Sequence, residues 1–150
     1  FFVILFFIIN FNVHCASIKI ITKVDNEIIT NIDIKNEKEY LLFLNPKLDQ
    51  LNRNQIDEIA KNSLITEIIK KKELNKFYDT RKMENFLNSI EQRFLKNKNI
   101  KNKSEFLMIL KKRDLEYDHI MNKLYIEAQW TLKFIMKNKI TKKIFLILFI

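Results

Sequence analysis

The chain has 150 residues with no Gly, one Pro and one Cys, and 47% of it is hydrophobic, enough for one folded domain of ordinary size. The absence of Gly excludes a P-loop, a dinucleotide-binding Gly turn and a GxSxG nucleophile elbow, each of which needs Gly where the backbone turns tightly or meets phosphate. The formal charge of +9 goes with 23 Lys, 25 Ile and 17 Asn but only 4 Arg, a bias that AT-rich codons favour, so it points only weakly to nucleic acid, for which Arg is the better ligand.

Residues 1–17, FFVILFFIINFNVHCAS, contain no Lys, Arg, Asp or Glu. Nine apolar residues followed by small and polar ones read as the apolar and cleavage regions of a secretory signal peptide. With no initiator Met and no basic start, the chain is expected to begin inside the full signal. Residues 1–16 are assigned to this partial signal peptide, the cut being favoured at Cys15. A buried strand or a membrane anchor is the alternative, although nine apolar residues fall short of the roughly 20 that span a bilayer.

Residues 18–30, IKIITKVDNEIIT, predict a β-hairpin, 19–24 and 27–30, turning at Asp25-Asn26. A two-stranded hairpin is marginal alone and must lean on helices. Thr30 or Asn31 is expected to cap a first helix that runs to Leu44 and stops before Pro46. Asn52 or Asn54 caps a second, with Asp57 and Glu58 in its first turn. Its stripe is Ile56, Ile59, Ala60, Ser63, Leu64 and Ile68, widened by Ile65 and Ile69, which predicts a central helix ending at Lys70–Lys72. A third helix is expected from Asp79 or Thr80 to Leu95, with Met83, Phe86, Leu87, Ile90 and Phe94 inward. Ser104 opens a short fourth helix with Phe106, Leu107 and Leu110 inward, and Asp114 breaks it. The last helix, 116–137, carries Tyr117, Ile120, Met121, Leu124, Ala128, Leu132 and Ile135 on one stripe and Ile126, Trp130 and Phe134 on a second. So wide an apolar arc implies two neighbours or a binding role. The fold class is therefore mainly α, a short N-terminal β-hairpin followed by about five helices, with the domain at 17–137 and an apolar tail at 138–150. That tail ends in seven apolar residues, 144–150, and has three readings: the start of a cut-off membrane helix, a segment docked in the core, or an out-of-frame or truncated end.

Little in the pattern carries chemistry. His119 is the one His outside the leader, so no His pair or His/Cys metal set forms. The serines lack a basic partner, and the acidic pairs Asp57-Glu58 and Glu116/Asp118 sit where helix starts want negative charge. No catalytic residue, metal or cofactor is expected. The Lys-rich stretches 70–72, 96–103 and 137–143 read as solvated helix ends, and no nucleic-acid partner is expected.

The order of elements nevertheless resembles a known family. Ile20 to Ile34, the Ala60, Leu64-Ile65 and Glu67 pattern of the second helix, and Ser104-Glu105-Phe106 through Leu110 followed by Leu115-Glu116-Tyr117-Asp118 are similar to the N-terminal domain of the SurA family of periplasmic chaperones and related parvulin-type foldases. The similarity spans residues 18–140; Asp114 stands where that family often has a turn Gly. It implies an exported, periplasmic holdase domain whose partners are unfolded outer-membrane protein precursors, without the parvulin domains that carry prolyl isomerase activity. The apolar residues in surplus are the candidate client contacts: Tyr40, Phe43, Phe77, Ile126, Trp130 and Phe134. Packing within the domain's own core is the competing role for each. A membrane-anchored helical interaction module, associating through the tail 138–150, and a basic nucleic-acid-binding domain are the alternatives.

Overall fold

A computed structural model describes residues 17–76 and 84–137. Phe77, the start expected for the third helix and both chain ends, with the segment 1–16 read as a signal peptide and the tail 138–150, lie outside them. The described residues form an antiparallel hairpin, β1 (Ile20–Val24) and β2 (Glu27–Thr30), followed by five α-helices. These are α1 (Asn31–Leu44), α2 (Arg53–Leu74), α3 (Glu84–Asn97), α4 (Lys103–Lys112) and α5 (Tyr117–Lys137), with a short 3₁₀ turn, Pro46–Gln50, between α1 and α2. The mainly helical architecture and the N-terminal hairpin are as the sequence predicts.

Local chemistry sets the helix starts. Thr30 caps α1 in a reciprocal box: its hydroxyl accepts from the Asp33 amide at 3.3 Å, and the Asp33 carboxylate accepts from the Thr30 amide at 2.7 Å. Asn52 and Gln55 repeat the arrangement at α2. Because α2 begins at Arg53, Asp57 and Glu58 fall beyond its first turn, and Asp57 pairs instead with Lys38 of α1 at 2.7 Å. Ser104 is not the cap of α4; the Asn102 side chain takes that place and accepts from the Glu105 amide at 2.9 Å. Asn and Ser are about equally good caps, so local preference alone does not choose between these two positions.

A chain without Gly must turn on Asn and Asp. Among the described residues, Asp25, Asn99 and Asp114 carry the positive φ values, 53°, 56° and 55°. The last two end α3 and α4 in the same way. Ile100 N–H donates to Leu95 O and Asn99 N–H to Lys96 O; Leu115 N–H donates to Leu110 O and Asp114 N–H to Lys111 O. Both are Schellman closures, and in each the residue after the left-handed one, Ile100 or Leu115, is buried.

The larger core gathers Tyr40 and Phe43 of α1, Phe94 of α3, Phe106 and Leu110 of α4, and Ile120 and Met121 of α5. Phe43, Phe94 and Phe106 meet pairwise with ring centroids 5.5–6.2 Å apart. A second core joins the hairpin to the first two helices through Ile29, Ile34 and Ala60, which is how the two strands are supported. α2 packs on α1, α5 and β2, so its central position holds. Its widened stripe is not fully covered, however: Ile59 and Ile69 are exposed. On α4, Leu107 also points outward, and Ile109 packs against the core in its place.

Candidate functional site

Two features stand out at the junction of α1, α2 and α5: a buried charge network, and beside it two open grooves with apolar floors.

The network begins at Glu37, 1% exposed on the buried face of α1. Its carboxylate accepts from the Ser63 hydroxyl of α2 at 2.6 Å and lies 2.6 Å from Lys123 Nζ of α5. Lys123, itself buried, also bonds Glu67 of α2 and stands 5.2 Å from the centre of the Tyr40 ring. Two carboxylates therefore share one ammonium where three helices meet. Burial, with the Glu37 charge adding to it, pushes the Tyr40 phenol above its ordinary value. Sequence patterning missed this cluster, although a signal was present. Glu37 falls between Ile34 and Tyr40, and Glu67 follows Ala60 and Ser63, at the spacing of the apolar stripes. A charged residue in register with an apolar face needs a partner.

The first groove runs between the C-terminal halves of α2 and α5 and encloses about 530 Å³. Ile69, Trp130 and Phe134 supply its apolar surface. Trp130 and Phe134, one helical turn apart, meet edge to face with centroids 5.3 Å apart. Ile69 and Phe134 are each 53% exposed, so this surface is open to water. Asp25, Lys72, Glu73, Lys76 and Lys133 form the rim. Lys72 bonds Asp25 at the hairpin turn, and Glu73 accepts from both Lys133 and Lys76 at 2.8 Å. Those two hydrogen bonds hold the Glu73 carboxyl down to about 2. Lys133 Nζ also lies 5.5 Å from the Trp130 ring centre. The second groove, on the other side of the α2 end, is lined by Leu74, Leu87, Met121, Tyr125 and Ile126, with Lys71 and Asp118 among its polar residues. Tyr125 accepts from Gln129 at 2.7 Å, and Phe86 meets its ring edge-on at 5.9 Å.

The six candidate contacts separate accordingly. Trp130 and Phe134 line the first groove and Ile126 the second. Ile126 is 4% exposed, so it offers little more than a floor. Tyr40 and Phe43 are buried in the main core, where Phe43 stacks on Phe106 and meets Phe94 at a tilt, so neither presents surface to a partner. Phe77 lies outside the described residues. The helical period puts Ile69 on the widened α2 stripe, yet in the structure it belongs to the groove. The hairpin adds further open apolar surface, with Ile18, Ile20, Ile21 and Ile28 exposed.

His119 is exposed, and among the described residues no group of His, Cys, Asp or Glu could hold a metal ion. No helix among them is long and apolar enough to cross a membrane. No protein-family model matches the chain, and neither a curated protein nor a solved structure matches it.

Proposed function

We propose that this domain is a holdase: it binds unfolded polypeptide segments, with outer-membrane protein precursors in a Gram-negative periplasm as the clients, in the manner that its resemblance to SurA-like N-terminal domains implies. The observation that carries the reading is the open apolar surface of Ile69, Trp130 and Phe134 between α2 and α5. Ile69 and Phe134 lie in water beside the half-buried Trp130, and an apolar patch of this kind marks a surface that a partner covers. An unfolded β-barrel precursor exposes alternating apolar and aromatic side chains. Burying them here returns about 25 cal/mol per Å² of apolar area, which suits weak, exchangeable binding. Holding the client bound lowers the concentration free to aggregate. Groove-facing side chains do this by contact and require no bond-making step.

The test is dilution of a urea-unfolded outer-membrane β-barrel protein into buffer with and without the chain, followed by light scattering. The chain slows aggregation, and Trp130→Ala and Phe134→Ala lose most of that effect while keeping the helical circular dichroism of the parent. Aggregation that proceeds unchanged beside a folded chain overturns the proposal.

A further inference from the structure

The hairpin turns one face to the helices and the other to water. Ile29 is buried with Ile34 and Ala60, whereas Ile18, Ile20, Ile21 and Ile28 are each between 47% and 67% exposed. Ile28 stands opposite Lys23 across the ladder, so an exposed cation shares its face of the sheet. Ile21 also borders an open groove of about 470 Å³ between the starts of α1 and α2, which sets Lys35, Lys38, Arg53 and Lys61 against Asp57 and Glu58. Lys38 is held by Asp57 at 2.7 Å and Lys61 by Glu58 at 2.6 Å. Arg53, its side chain 87% exposed, reaches only the already paired Asp57, at 4.0 Å. Lys23 and Lys35 make no ion pair among the described residues. Of the hairpin's own carboxylates, Asp25 bonds Lys72, and Glu27 stands opposite Val24, on the face of Ile29 rather than that of Ile28. Uncommitted positive charge on Lys23, Lys35 and Arg53 therefore lies beside the exposed isoleucines.

The chemistry of this surface selects its occupant. A nucleic-acid strand needs rings to stack on, and these side chains are aliphatic. A further strand is poorly received, because Lys23 lies within β1 and the register slips between Ile20 and Thr22, two features that guard a sheet edge. Protruding aliphatic side chains beside free cations suit a bilayer whose headgroups are anionic. We propose that the hairpin docks the domain on an anionic lipid surface: Ile18, Ile20, Ile21 and Ile28 enter the boundary of the acyl chains, and Lys23, Lys35 and Arg53 meet the headgroup phosphates. This docking uses none of Ile69, Trp130 and Phe134, so it stands or falls separately from the holdase reading.

The full chain is mixed with vesicles of phosphatidylcholine, alone or with one-third phosphatidylglycerol, and binding is read by co-flotation. It binds the anionic vesicles at least about tenfold tighter, and Lys23→Gln and Lys35→Gln each weaken that binding by about fivefold. In roughly 0.5 M salt, where the Debye length is only a few ångströms, most of the preference is lost. The apolar segments 1–9 and 144–150 are common to every variant, so a local probe shows which part touches lipid. Trp130 is the only Trp of the chain, and in a Trp130→Phe background the Ile28→Trp emission moves to the blue on anionic vesicles and is quenched by brominated acyl chains. An Ile28→Trp signal that neither moves nor is quenched overturns the proposal, as does equal binding of the parent and both Lys variants. A dimer in sedimentation velocity that Ile20→Ser/Ile28→Ser dissolves, with the Ile28→Trp signal unquenched by lipid, gives the face to a second copy and also overturns it.

Discussion

The two ends of this domain solve the problem of buried surface in opposite ways. Around α3, α4 and the start of α5, Phe43, Phe94 and Phe106 interlock, with Leu110, Leu115 and Ile120 closing the cluster and few polar atoms inside. Where α1, α2 and the first half of α5 meet, a buried Lys–Glu network is sealed between helices, and along the C-terminal halves of α2 and α5 Ile69 and Phe134 stay in water. The first arrangement maximises contact and tolerates few changes. The second holds three helices at fixed spacing by charge, and a groove remains beside them. Stability and exposed binding surface are thus allotted to different regions, so a change in one should leave the other largely intact.

The largest effect is expected from emptying the aromatic cluster. Phe106 is fully buried, and Phe106→Ala should destabilise the domain by about 3–5 kcal/mol, read as a fall in the urea midpoint. Next comes the charged junction. Lys123→Ala leaves Glu37 buried without its counter-ion and should cost about 3 kcal/mol, whereas replacing the whole network, Glu37→Leu/Glu67→Leu/Lys123→Met, should cost far less, because apolar groups of similar volume need no counter-ion. A double-mutant cycle on Glu37 and Lys123 separates a specifying network from a merely tolerated one. A joint replacement as damaging as Lys123→Ala alone would show that the network is a net source of stability.

Smaller effects follow. Asp114→Gly should stabilise the domain by about 0.5 kcal/mol, seen as a small rise in thermal midpoint, because Gly adopts the left-handed conformation there without the Cβ penalty. The smallest concerns the groove rim. The Glu73 carboxyl lies at about 2, below its ordinary 4.5. A depressed carboxyl makes its full contribution above about 4.5 and loses it as the pH falls toward 2. Trp130 emission should therefore shift across that window as Lys133 and Lys76 are released from Glu73, and the shift should be absent in Glu73→Gln. A shift of equal size in that variant would assign it to another group.

Local chemistry alone determined much of this protein. The turn at Asp25-Asn26, the Thr30 box, the stop before Pro46, the Asn52 cap and the break at Asp114 are each decided by residues within a few positions of one another. That is why the hairpin and the order of helices were legible without coordinates. Even the misplaced cap, Ser104 for Asn102, was an error of two positions between similar side chains. Tertiary structure decided what the helical period leaves open. A stripe of apolar residues says which way a side chain points, not whether another element will come to cover it. Tyr40 and Phe43 are covered by residues more than fifty positions away, such as Phe94 and Phe106, whereas Phe134, on an equally apolar stripe, is not. The register of Glu37 with the apolar stripe says that it needs a partner but not which one, and Lys123 becomes that partner only because α1, α2 and α5 bring the two within 2.6 Å.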